Sequence, residues 1–187
     1  MIKIGITGSL ASGKTTAARI FAGTKYPLFN ADKEVQNIYN QKDFKRKISK
    51  KFKIKSLKNI KSEIKKIIIN NKILIKDIEK IIHPLVRKKI KIFIKKNKKK
   101  KLIFFEIPLL IESKLMKDYD IIIFINSKKN IRLKRYLKRG KNKEIFNLLD
   151  KRQLLPSKKI KFCDYVINNN KDLKKLKRII KSIKNKI

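Results

Sequence analysis

Acidic residues are scarce: 14 Asp and Glu stand against 54 Lys and Arg, a formal charge of +40 over 187 residues. A field of that sign repels cationic ligands and draws anionic ones. Cysteine occurs once, at Cys163, which excludes an intramolecular disulfide and a fold stapled by bridges. No apolar run approaches the about 20 residues that a bilayer span requires, so no membrane partner is expected. The first residues lead into an apolar, β-prone segment rather than a charged stretch with a signal-peptide core, which makes a cytoplasmic setting the expectation. Glycine is also rare, with five in the chain, four of them at or before Gly23.

Two of those glycines frame the run Gly8-Ser9-Leu10-Ala11-Ser12-Gly13-Lys14-Thr15. This is a complete phosphate-binding loop, set between an apolar segment from Ile2 to Thr7 and a helix-prone segment from Thr15 to Ala22. Glycine lets the backbone curl so that successive amides face phosphate oxygens, and the positive end of the following helix points at the same place. The candidate ATP-binding residues are therefore Gly8, Ala11, Ser12, Gly13, Lys14, Thr15 and Thr16. Lys14 is placed to reach the outer phosphates, and the Thr15 hydroxyl to ligate the magnesium ion that bridges them. A bare glycine-rich turn would not need this spacing in this context.

The basic residues are spread along the whole chain and mark the outer faces of amphipathic segments, as at Lys88, Lys89, Lys91, Lys95 and Lys96. They accompany heavy use of isoleucine and asparagine, which suggests drift toward A/T-rich codons. Aromatic residues are not interleaved with them in a stacking pattern, so the lysines read as a solvated coat rather than a nucleic-acid footprint.

Strand candidates are Ile2 to Thr7, Pro27 to Phe29, Leu102 to Phe105, Asp120 to Ile125 and Tyr165 to Ile167. Leu102 to Phe105 and Ile121 to Ile125 are apolar without alternation, as strands covered on both faces are. The expectation is an α/β fold built around the phosphate-binding loop, with a central parallel sheet of about five strands covered by helices. It would form a single domain over 1–187, with a core of 1–40 and 100–187. Residues 41–99 show helical spacing, as at Phe44, Ile48 and Phe52 and at Ile60, Ile64, Ile67 and Ile68, and read as a helical insertion. Such an insertion would stand beside the carboxyl edge of the sheet, where ligands bind in this architecture. Leu173, Leu176, Ile180, Ile183 and Ile187 place a docked helix at the C-terminus.

The base-reading Asn-Lys-x-Asp and the Asp-x-x-Gly switch of GTPases do not occur. Small kinases with such a loop place a carboxylate after the second strand to orient or deprotonate the acceptor hydroxyl. Asp32 stands there, although capping a helix over Lys33 to Tyr39 would also account for it. Glu106, at the end of the third strand, is where a carboxylate can hold a metal-bound water. His83, the only histidine, precedes Pro84 and reads by itself as either a structural cap or a binding group. Arg87, one turn further on, faces either a pocket holding an acceptor phosphate or solvent.

Thr7-Gly8 with its loop, Ala31-Asp32, His83-Pro84, Pro108-Leu109-Leu110 with Glu112, and Asp164 to Asn169 occur in an order that resembles the dephospho-coenzyme A kinases. That resemblance implies transfer of the γ-phosphoryl of ATP to the ribose 3′-hydroxyl of dephospho-coenzyme A, with Mg2+. Asp32 would be the base, catalysing together with Lys14 and Arg139, and His83, Arg87, Pro108 and Leu109 would border the acceptor. It further implies a lid over about 132–150 whose Arg135 and Arg139 close on the phosphates, and Asn169 beside the adenine. Two spaced arginines in a basic chain also fit plain surface. The sequence departs from the family at Ser9, Ala11, Asn30 and Arg132, where glycine, glycine, aspartate and glutamine respectively are common. Rival readings are another small-molecule or nucleoside monophosphate kinase, and a nucleic-acid-binding ATPase favoured by the charge.

Overall fold

The computed structural model describes residues 1–54, 60, 62–64 and 74–187. Five strands form one parallel sheet: β1 (Ile2–Gly8), β2 (Leu28–Asn30), β3 (Leu102–Glu106), β4 (Ile121–Asn126) and β5 (Tyr165–Asn168). Their order is β2-β3-β1-β4-β5. All five fall within two residues of the expected segments. β1 lies in the middle, with Ile4 opposite both Phe104 and Ile121. The chain leaves β1 toward one edge of the sheet and leaves β4 toward the other, so the loops after these neighbours diverge. This switch point is where an open α/β sheet holds its ligand.

The helices following the strands are α1 (Lys14–Ala22), α2 (Ala31–Asn40), α3 (Lys42–Phe52), α4 (Leu74–Lys96), α5 (Lys129–Leu137), α6 (Lys143–Lys151), α7 (Pro156–Ile160) and α8 (Leu173–Lys184). One face of the sheet is closed by α1 and α8, whose Ala17, Phe21, Leu176 and Ile180 pack with Ile4, Ile6, Phe104, Ile123 and Ile167. Alternate strand residues Ile103, Phe105, Ile122 and Phe124 leave by the other face and are buried as well. Hence β3 and β4 are apolar without alternation. α8 starts where Asp172 accepts the Lys175 amide at 2.7 Å.

Two aspartates set strand register. Asp120 accepts the Lys3 amide at 2.7 Å and its own amide returns to the Lys3 carbonyl. Asp164 makes the same exchange with Ile122 before β5. In the middle of β1 a side chain on Gly5 would come within 2.6 Å of Leu110, so the missing Cβ lets the segment after β3 lie over the sheet.

The chain divides into two compact units: Met1–Asn30 with Asn97–Ile187, and Ala31–Lys96. The second is helical, around Ile38, Phe44, Ile48, Ile54, Ile60, Ile64, Ile78 and Ile82. Ile67 and Ile68, expected on the same stripe, lie outside the described residues. Among the described residues no helix is long and apolar enough to cross a membrane.

Cys163 is half-buried and its Sγ donates to the Lys159 carbonyl at 3.2 Å. Burial, and then the charge of Asp164, push its thiol up to about 11, with Lys159 acting in the opposite direction. At pH 8 roughly one molecule in a thousand carries the thiolate. Labelling by a thiol-disulfide reagent is expected to run about a hundredfold slower than with free cysteine and to accelerate toward pH 11; free-cysteine rates at pH 8 would contradict the burial.

Candidate active site

The phosphate loop is built by close approach. A Cβ on Gly8 would stand 2.3 Å from the Ile125 carbonyl oxygen, so only glycine lets β1 leave the sheet against β4. Gly13 caps α1 in the left-handed region at φ 95 and presses against Asn169, whose Nδ2 would be 2.3 Å from an added Cβ. Gly8→Ala meets backbone that cannot step aside. It is expected to lower Tm by about 5–15 °C in a thermal melt, and an unchanged Tm would contradict the packing.

Side chains of the surrounding core draw the loop carbonyls away from the amide edge. The Ser12 carbonyl accepts from Asn169 Nδ2 at 2.8 Å and from Arg135 Nη1 at 3.4 Å. The Leu10 carbonyl accepts from Arg132 Nη1 at 3.2 Å, and the Leu10 amide donates to Gln153 Oε1 at 2.9 Å. Lys14, 9% exposed, reaches back so that Nζ donates to the Ser9 carbonyl at 2.9 Å. The first-turn amides of α1 have no carbonyl within their own helix, and the helix dipole adds positive potential there. The result is a pre-shaped anion cradle.

Below it, Glu106 is 2% exposed. It accepts from Thr15 Oγ1 at 2.5 Å through one oxygen and from Asn30 Nδ2 through the other. Because the Thr15 hydroxyl donates its hydrogen bond to Glu106, its oxygen lone pairs remain for a cation. Thr15 and Glu106 are hard oxygen donors of the kind magnesium selects. Asn30, common as aspartate in the resembling family, acts here as a donor that steadies Glu106.

Arg135 sits half-buried on α5 with Nη1 also 3.4 Å from Ser127 Oγ. Desolvation, and then the nearby Arg139 charge, lower its guanidinium pKa. An anion bound near Arg135 would offset that repulsion. Arg139 is exposed and stands beyond the end of the helix that carries Arg135, where a four-residue spacing would have kept both within it. α5 stops at Leu137, and Arg139 lies in the turn closed by Gly140 at φ 68. α5 and α6 meet through Tyr136 and Phe146, which pack against Ala11 of the loop.

Thus Gly8, Ala11, Ser12, Gly13, Lys14, Thr15, Thr16, Glu106, Arg135 and Asn169 are assembled in the first unit. Pro108 is there as well, its carbonyl accepting from Thr7 Oγ1 at 3.0 Å, while Leu110 is buried and Leu109 exposed. Asp32, His83 and Arg87 belong to the second unit and are exposed. α2 begins at Ala31, so Asp32 is inside its first turn and is not the residue before it. His83 caps nothing, because it stands within α4, one turn from Arg87.

Two further features carry little sequence signal. Lys159 is fully buried and lies 2.5 Å from Glu112 Oε1, an ion pair that ties α7 to the loop after β3. Nothing separates it from the coat lysines except the need of Glu112 for a counter-charge. A cavity of about 430 Å³ opens beside the loop, bordered by Ser9, Ser127, Arg132, Asp150, Gln153 and Leu155.

This fold and cradle define a phosphate-loop kinase. A shikimate kinase from Bacteroides thetaiotaomicron shares the fold at a TM-score of 0.57, with 13% identity over 98% of this chain and 96% of that one. Within that class the chain belongs to the dephospho-CoA kinase family, whose profile matches residues 2–175. It is 35% identical over 185 residues to a dephospho-CoA kinase of Bartonella quintana, covering 96% of this chain and 95% of the relative. The solved dephospho-CoA kinase of Campylobacter jejuni superposes at a TM-score of 0.71 with 27% identity, covering 98% of this chain and 96% of that one.

Proposed function

We propose that this chain transfers the γ-phosphoryl group of ATP to the ribose 3′-hydroxyl of dephospho-CoA, releasing ADP and CoA. The observation that carries this reading is an assembled phosphate cradle in a chain that matches that family over nearly its whole length. Loop amides and Lys14 hold the phosphates, which converts the encounter into an oriented displacement. Asp32 accepts the proton of the 3′-hydroxyl as its oxygen attacks phosphorus, and the bond from phosphorus to the β–γ bridging oxygen breaks. Arg135 and Arg139 neutralise charge spreading over the equatorial oxygens. His83 and Arg87 on the helical unit, with Pro108 and Leu109, bind the acceptor, and Asn169 serves the adenine side as well as the loop.

Magnesium would be held by Thr15, with Glu106 behind it, and when bound would offset phosphate charge. The test is a coupled assay with ATP, magnesium and dephospho-CoA. ADP and CoA should appear in equal amounts and only with the acceptor present. ATP consumption that ignores dephospho-CoA, or answers to nucleic acid instead, would overturn the proposal.

A further inference from the structure

Arg132 departs from the glutamine common at its position, and it is 5% exposed in a chain whose cations are otherwise mostly solvated. Its guanidinium makes a fork on Asp150, with Nη1 to Oδ1 at 2.6 Å and Nη2 to Oδ2 at 3.5 Å. Nε donates to the Ser127 carbonyl at 3.1 Å, and the group lies 5.6 Å over the Phe146 ring. What remains of Nη1 goes to the Leu10 carbonyl at 3.2 Å. One side chain therefore joins β4's exit, α5, α6 and the phosphate loop.

The next residue in the loop is strained. Ala11 stands in the left-handed region at φ 57, where an L side chain costs energy that glycine avoids. The peptide plane between Leu10 and Ala11 sets that φ, and Arg132 holds its carbonyl. Gln153 fixes the plane before it through the Leu10 amide at 2.9 Å. The Ala11 methyl is itself buried against Tyr136 and Phe146. These contacts on the Leu10–Ala11 turn all come from the segment after β4.

We propose that Arg132, locked in place by Asp150, is a positioning residue that holds the strained phosphate loop in its anion-binding shape before nucleotide arrives. A glutamine at 132 reaches one carbonyl but cannot fork onto Asp150, so it cannot fix the plane as firmly. The strain at Ala11 and the arginine at 132 act as compensating features of this chain.

This rests on the kinase reading for the identity of the nucleotide and not for the geometry. The test measures ATP affinity by calorimetry for the unaltered chain, Arg132→Gln, Asp150→Asn, and Arg132→Gln combined with Ala11→Gly. Steady-state KM for ATP and for dephospho-CoA, and Tm, are measured alongside. Arg132→Gln should weaken ATP binding about tenfold, equivalent to ~1.4 kcal/mol, with KM for dephospho-CoA moved less than about twofold. Asp150→Asn should follow in the same direction. Ala11→Gly should recover most of the loss, because glycine no longer needs the brace. A lower Tm with unchanged ATP affinity, or a loss that Ala11→Gly fails to repair, overturns the inference. ATP binding without phosphorylation of dephospho-CoA overturns the proposed reaction and leaves this inference standing, whereas no ATP binding by the unaltered chain overturns both.

Discussion

Replacement of Asp32 by asparagine is expected to lower kcat by about 10²–10⁴ while ATP affinity stays within roughly threefold. The two side chains are alike in size, and the position is exposed in the first turn of α2, so the fold has no reason to change. What disappears is a group able to take a proton from the acceptor alcohol as it attacks phosphorus. A carboxylate there also favours the helix dipole, a contribution of a few tenths of a kcal/mol that cannot by itself explain a thousandfold loss. Single-turnover measurements with saturating ATP and dephospho-CoA isolate the chemical step. Near-normal turnover would remove Asp32 from the mechanism.

The second large effect is expected at Lys14. Its Nζ lies 2.9 Å from the Ser9 carbonyl in a nearly closed environment, with the amide edge of the loop around it. Lys14→Ala removes the one flexible cation built into the loop and also withdraws a donor from Ser9. kcat/KM for ATP should fall by about 10³-fold or more, and calorimetric ATP binding should disappear in the millimolar range. Lys14→Arg should restore little, since a planar fork does not substitute for a compact ammonium in a loop of this tightness. Retention of micromolar ATP affinity in Lys14→Ala would mean that the amides alone bind the nucleotide.

The sheet was legible because each strand is a short β-branched or aromatic run, and because two of them, Leu102 to Phe105 and Ile121 to Ile125, are apolar without alternation, as strands covered on both faces are. Of the second run, Ile122 to Ile125 are buried and Ile121, at the strand's start, is half-buried. The loop was legible because its spacing is dictated by phosphate geometry. What tertiary context decided was hidden. Lys159 has the same letter as its solvated neighbours, and only its distance from Glu112 sets it apart. Arg132 reads as a departure from a pattern, and its value lies in a fork onto Asp150 that no spacing rule foretells. Arg139 lies outside the helix expected to carry it because that helix ends at Leu137, a matter of local capping that composition leaves open.

The order β2-β3-β1-β4-β5 also bears on how the chain is made. During synthesis β1 leaves the ribosome well before either of its hydrogen-bonding neighbours, the earlier of which begins at Leu102. Until then an apolar ribbon ending in a glycine loop travels without partners on either edge. Nascent chains released before Asn126 should therefore be held by chaperones or lost to proteases, and protection of β1 should appear abruptly once β4 has emerged.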